Sequence, residues 1–356
     1  MAFASVFGTS SDPLLAAAYY SALAALGAAL LLLAAVLAMR WRTRAAAAAA
    51  ARIRAHWRLR FAAVAVGDST PASEPAPREV RAVLELWNQT AANLKGAARE
   101  RLAGFGLRCG FDAAAAALIR RRSVADRLLG LATLGQLADR SQFESIRALA
   151  ADPSAAISLS AARALIRIDP VEGLAALLPQ VLDREDWPIG RLAEALREGP
   201  QDAVADLIAL ALERAPARDR RRLLALARIA PRQRIAPQVR AILAQPADPE
   251  TLIAALKLVA DPRDAALVRA QLGHADWAVR VAAVRALGRV ATREDLPALA
   301  GALADPSWWV RQRAADAIVS LPYLDAQQLQ ELRERAPDPF AADALARAVA
   351  EKAGAP

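Results

Sequence analysis

Two stretches decide the fold: Asp276-Trp277-Ala278-Val279-Arg280-Val281-Ala282-Ala283-Val284-Arg285-Ala286-Leu287 and Ser307-Trp308-Trp309-Val310-Arg311-Gln312-Arg313-Ala314-Ala315-Asp316-Ala317-Ile318. Set 31 residues apart, they match at Val279/Val310, Arg280/Arg311, Ala283/Ala314, Ala286/Ala317 and Leu287/Ile318. Each opens on an N-cap residue and continues with apolar and small residues at helical spacing. A second helix follows, as in Asp295-Leu296-Pro297-Ala298-Leu299-Ala300-Gly301-Ala302-Leu303, and the turn Ala304-Asp305-Pro306-Ser307 opens the next unit. Weaker copies lie upstream. Ala151-Asp152-Pro153-Ser154 precedes Ala161-Ala162-Arg163-Ala164-Leu165, and Ala247-Asp248-Pro249-Glu250 precedes Ala254-Ala255-Leu256. Asp186-Trp187 repeats the Asp276-Trp277 step at an offset of 90. The unit is therefore about 30 residues: an N-cap, helix A with small residues on its contact face, a turn, and helix B. One such pair cannot bury its apolar face, whereas stacked pairs share a continuous core.

This pattern resembles the HEAT superfamily, in particular the short HEAT-like repeats first described in phycobilin lyases. The resemblance covers residues 123–338, is strong over 276–320 and degenerate between 187 and 260. It implies an all-α, right-handed α-α superhelical solenoid. Residues 79–122, with Leu84, Leu86, Trp87, Leu94 and Leu102, read as a divergent helical cap, and 339–356 as a C-terminal cap and tail. Composition agrees: the 56% of apolar residues are mostly Ala and Leu, with few of the residue types that strands favour.

The N-terminal region reads differently. Pro13 to Met39 carries no charged side chain, long enough for a transmembrane helix. Ser11 and Asp12 are candidate N-caps, and Pro13 suits the first helical position. Tyr19 and Tyr20 at one end and Trp41 at the other are candidate interfacial aromatics; Tyr20 to Trp41 spans about 32 Å as helix, close to the hydrocarbon thickness. Seven arginines follow (Arg40, Arg42, Arg44, Arg52, Arg54, Arg58 and Arg60) with no acid among them. They hold most of the chain's net +9, leaving +3 over residues 62–356 once Asp12 is counted. A nearly neutral body on a basic neck suits a membrane surface and not a nucleic acid. A secretory signal would place positive charge before the apolar run, and no Lys or Arg precedes it. The expected topology is single-pass in the bacterial inner membrane, with residues 1–12 outside and the repeats in the cytoplasm.

Beyond the membrane run, residues 40–66 read as a helical stem in which Ile53, Trp57 and Phe61 form a narrow apolar stripe. Two readings stay open: a helix lying on anionic lipid headgroups, or a stripe packed on the repeat body. Gly67 to Pro77 reads as a linker within a 67–78 boundary segment.

Chemistry is sparsely provided for. The chain has one cysteine, Cys109, and two histidines, His56 and His274, neither followed by Glu. The His-Glu iron sites of the deoxyhypusine hydroxylase relatives are therefore missing. The basic concave face of the HEAT-like DNA glycosylases finds no counterpart in so neutral a body. No phosphate-binding loop, dinucleotide fingerprint or Cys/His cluster appears, and Asp and Glu show no distinctive spacing. We expect no catalytic, metal or cofactor-binding residues. Trp187, Trp277 and Trp308 share one repeat position and are expected to pack over the inter-repeat turn. Trp309, whose counterpart is Ala278, stands out beside Arg311 and Arg313 as a candidate partner-binding group. Gln312 is expected to face solvent. The resulting expectation is a membrane-anchored, non-enzymatic scaffold that binds a partner protein. Bacterial chains that join an anchor to HEAT-like repeats imply a membrane glycosyltransferase or another envelope or polysaccharide-synthesis complex as that partner. A phycobilin-lyase-like or chaperone-like protein acting on a client is the second reading, and pigment binding separates the two.

Overall fold

The computed structural model describes residues 13–354. The expected N-caps Ser11 and Asp12 and the short N-terminus over 1–12 lie outside the described residues. Among those residues every regular element is helical. Contacts divide the chain into two compact units, Met1–Phe111 and Asp112–Pro356.

The first unit is built on α1 (Pro13–Val66), 54 residues without a break, or about 80 Å of helix. The apolar run and the basic stem are one rod, because no Gly or Pro interrupts the sequence between Gly27 and Gly67. Gly67 ends it at φ +104°, and the Asp68 N–H reaches back to the Ala63 carbonyl at 2.9 Å, a Schellman closure. Arg101 adds a guanidinium to the carbonyls of Ala65 (2.6 Å) and Val64 (3.4 Å).

Two further helices, α2 (Val80–Asn93) and α3 (Gly96–Arg108), pack on the last turns of α1. The stem stripe settles here. Trp57 and Phe61 are buried against Phe105 and Phe111, and Trp87 meets Phe111 edge-on. The cap helices thus take the stripe that was open between lipid and repeats. Residues 68–76 form no regular element, yet they are held: Arg60 donates to Ser73 Oγ at 2.7 Å and to the Pro71 carbonyl.

The second unit begins within α4 (Phe111–Ile119) and continues as helix pairs. In order they are α5 (Val124–Leu137) with α6 (Phe143–Ala150), and α7 (Ala155–Ile168) with α8 (Pro170–Ala176) and α9 (Leu178–Asp183). Next come α10 (Ile189–Leu196) with α11 (Gln201–Arg214), α12 (Ala217–Leu226) with α13 (Arg232–Leu243), and α14 (Pro249–Leu256) with α15 (Ala265–Ala270). The last pairs are α16 (Trp277–Val290) with α17 (Leu296–Gly301) and α18 (Trp308–Val319) with α19 (Ala326–Glu334), followed by α20 (Pro339–Gly354). The first helix of each pair packs on the first helix of the next, which makes one layer of an all-α solenoid. The second helices form the other layer. The last helix, α20, takes the next place in the first layer against α18, burying Ala341, Leu345 and Ala348.

Small residues set the helix spacing. Ala283 and Ala314 are fully buried at equivalent positions. Gly288 lies so close to α18 that a Cβ there would sit 2.8 Å from Ala317 Cβ. Gly135, at the same repeat position on α5, would meet Ala164 Cα at 2.9 Å. A methyl group at either would overpack the interface. Gln312 does not face solvent: it is 8% exposed, with its amide donating to Asp316.

Candidate functional site

Charged rungs connect successive pairs. Arg280, four residues into α16, donates through Nε and Nη2 to Asp305 at 2.7 and 2.9 Å, in the turn that opens α18. Its Nη1 also reaches the His274 and Ala275 carbonyls of its own turn, at 2.9 and 3.0 Å. Arg127, at the same place in α5, donates to Asp152 at 2.6 Å. Both partners lie 25 residues downstream. Burial pushes the Asp305 carboxyl up. The Arg280 hydrogen bonds, the Ser307 N–H and the charges of Arg280 and Arg311 outweigh it and hold the group below the ordinary carboxylate range. A second set of rungs joins the other layer: Arg240 donates to Asp261 and Asp264, and Arg269 to Asp295. Asp264 and Asp295 are buried and lie 31 residues apart. These acids have a spacing after all, but it becomes visible only once each arginine and the aspartate of the following unit are aligned as a pair.

The tryptophans divide. Trp187 is buried and donates through Nε1 to Ser158 Oγ at 2.9 Å. Trp277 and Trp308 do not pack over their turns: they are 49% and 44% exposed as the first residues of α16 and α18. The Asp186-Trp187 step is out of register with Asp276-Trp277. Pro188 is the N-cap of α10, so Trp187 lies before the helix and turns inward. Trp309, 52% exposed, packs edge-to-face on Trp308 with centroids 4.7 Å apart. Arg313 is tied to Asp316 at 2.8 Å. Arg311 donates to the Asp305 and Pro306 carbonyls and lies 5.6 Å from the Phe340 ring. Phe340, 67% exposed, was not anticipated; its place 31 residues after Trp309 was the available signal.

The N-terminal candidates also divide. The most apolar window of α1 has a mean hydropathy of 2.6 and none of it is buried, so the helix is long and apolar enough to cross a membrane. Arg40, Arg42, Arg44, Arg52 and Arg58 are exposed, as are Tyr20 and Trp41. The Tyr19 side chain lies outside the described residues. Arg54 is half-buried, and Arg60 is committed to protein, stacking 4.5 Å over Trp57.

Cys109 is buried, and burial pushes its thiol up against the opposing effects of the Ser73 backbone, Arg60 and Arg108. A raised thiol pKa leaves little thiolate near neutrality. The His274 Nδ1 accepts the Asp276 N–H within a turn. Among the described residues, no group of three or more His, Cys, Asp or Glu side chains is placed to hold a metal. A groove of about 460 Å³ is lined by Leu128, Leu159 and Pro188 together with Arg163, Arg191 and Glu194.

A comparison with curated proteins found no match. A protein-family model described as HEAT repeats matches residues 265–353, from α15 through α20. Over that segment the chain is a HEAT-repeat protein, and the second unit as a whole is an all-α helical solenoid.

Proposed function

We propose that this chain is a membrane-anchored, non-enzymatic scaffold. In this reading α1 fixes it in the cytoplasmic membrane and the solenoid binds a partner protein in the cytoplasm. The observation that carries the reading is the continuity of α1, an unburied apolar rod that runs directly into exposed arginines on a helical-repeat protein. Cationic side chains immediately after a span hold that side in the cytoplasm and attract anionic headgroups. A stacked array presents an extended surface that need not rearrange to bind, which suits an adaptor. The partner we expect is a membrane glycosyltransferase or another component of an envelope or polysaccharide-synthesis complex.

Two measurements test this. A reporter fused after Pro356 is expected to be active in its cytoplasmic form, and activity of a periplasm-dependent reporter alone overturns the topology. Mild-detergent extraction and affinity capture are expected to recover a membrane-bound envelope protein in stoichiometric amount. Recovery of the chain alone overturns the scaffold.

A further inference from the structure

Along the last three first-layer helices the aromatic side chains turn outward. Trp277 opens α16, Trp308 and Trp309 open α18, and Phe340 is the second residue of α20. The three helices are stacked neighbours and the four residues lie at repeat-equivalent ends, so the rings follow one edge of the solenoid. Elsewhere among the described residues of the second unit, the exposed large hydrophobics are valines: Val124, Val171 and Val349. Exposed aromatic surface gathered on one edge marks a place where something binds.

The charge beneath this edge is not balanced. Between α16 and α18, Arg280 is met by Asp305. One repeat later Arg311 takes the place of Arg280, and the place of Asp305 is taken by Ala336. Arg311 has no carboxylate at ion-pair distance among the described residues, and its Nε is buried without a hydrogen-bond partner. Asp305, whose carboxylate both Arg280 nitrogens already occupy, is the carboxylate whose field it shares. Exposed Arg335 adjoins Ala336 in the same turn.

We infer that this edge docks a protein segment carrying a carboxylate flanked by apolar residues. The carboxylate faces Arg311 and Arg335, and the apolar side chains lie on Trp308, Trp309 and Phe340. The inference rests on the scaffold reading and names the chemistry of its partner. An acidic segment fits better than an anionic bilayer. Asp276 and Asp338 cap α16 and α20 on the same edge, where a plane of headgroups would press on both. A segment can set a single charge beside Arg311 and avoid them.

The test uses the full chain in detergent and a short fluorescein-labelled peptide of alternating leucine, proline and aspartate. The comparison probes are the same peptide with asparagine for aspartate, and anionic and neutral vesicles. Anisotropy is expected to rise with the aspartate peptide and to need roughly tenfold more protein with the asparagine one. Trp309→Ala and Arg335→Glu are each expected to weaken the aspartate peptide about tenfold. Arg147→Glu, the same charge change at an exposed position of α6, leaves binding unchanged. Both edge residues are exposed, so neither variant threatens the fold. No binding of the aspartate peptide overturns the inference, as does equal binding of the asparagine peptide, insensitivity to both edge variants, or weakening by Arg147→Glu as large as by Arg335→Glu. Anionic vesicles also bind the α1 arginines, so the edge is read from the variants. Vesicle binding that Trp309→Ala and Arg335→Glu each weaken about tenfold, with no binding of the peptide, overturns the inference and assigns the edge to lipid. A captured partner that persists in the Trp309→Ala chain keeps the scaffold and moves its binding face elsewhere.

Discussion

Two junctions in the same solenoid solve one problem with different chemistry. Between α16 and α18, Arg280 ties its own turn carbonyls and Asp305 of the next turn, and Gly288 lets Ala317 approach. Between α7 and α10, the place of Arg280 is held by Ser158, which accepts the Trp187 indole N–H. The carbonyls of Asp152 and Pro153, equivalent to those of His274 and Ala275, are bonded instead by Arg184 from the following turn. Both junctions satisfy the same backbone groups, as burial requires. One uses a residue from within the unit and the other a residue from its neighbour. A sequence repeat can therefore decay while the stack continues, because what must persist is the satisfied turn and not the residue that satisfies it.

The sharpest way to break the α16–α18 junction is Ala314→Asp. Ala314 is fully buried where Ala283 lies one unit earlier. A carboxylate there loses its water without gaining a partner and overfills a site built for a methyl group. The cost is on the order of 3 kcal/mol or more. Because stability in a stacked array is local, cleavage by a protease is expected first within residues 277–354, with α5 to α9 still protected. Unchanged melting and digestion would show that α18 is out of the register described. Arg147→Glu, at an exposed position of α6, is the control.

Asp305→Ala sharpens the comparison by removing a charged rung. It leaves Arg280 without its carboxylate and removes the negative charge nearest in effect to Arg311. Breaking a pair this far from water costs about 3–5 kcal/mol. The rung should also titrate. The folded pKa of Asp305 is depressed, so its stabilisation is fully present above the ordinary carboxyl pKa of about 3.9 and is lost as pH falls through the lower folded value. Acid titration of the melting temperature is expected to show a smaller loss below about pH 4 in Asp305→Ala than in the parent. Identical acid limbs would mean that the rung carries no linked proton.

How much could be read beforehand follows from the same contrast. Val279, Arg280, Ala283 and Leu287 recur because the α16–α18 packing reuses them, and so the repeat, the helical class and the strong segment were visible in the chain. The apolar run of α1 was visible because a bilayer-length stretch needs no partner to be recognised. Trp187 is buried, as expected, but its register was not legible: Pro188 shifts the helix start by two residues, and a dipeptide match cannot sense which residue becomes the N-cap. Trp277 and Trp308 were expected over the inter-repeat turn from their shared repeat position, yet at the first turn of α16 and α18 they are about half exposed. The Arg-Asp rungs were hidden because each partner belongs to a different unit. Arg311, Trp309 and Arg313 were found as neighbours in sequence, but the structure gives them separate tasks: Arg313 is spent on Asp316, while Trp309 continues an edge through Phe340.

The smallest expected effect is Ser158→Ala, which probes the neutral rung. Ser158 is fully buried, and its hydroxyl both accepts from Trp187 Nε1 and donates to the Ser154 carbonyl at 3.0 Å. Removing it strands the buried indole N–H, at a cost of about 1–2 kcal/mol. The Ser154 carbonyl keeps its helical bond from the Ser158 N–H. No ionisable group takes part, so the loss should be the same at neutral pH and at pH 4, unlike that of Asp305→Ala. Hydrogen exchange of the Trp187 indole is expected to accelerate, with fragments mapping to α7 and α10 and not to α16 and α18. If exchange there matches the parent, the indole has another acceptor and the two junctions do not share a common rung position. If the loss instead grows as pH falls, the α7–α10 junction depends on Arg184 and its partner Asp186 more than on the serine.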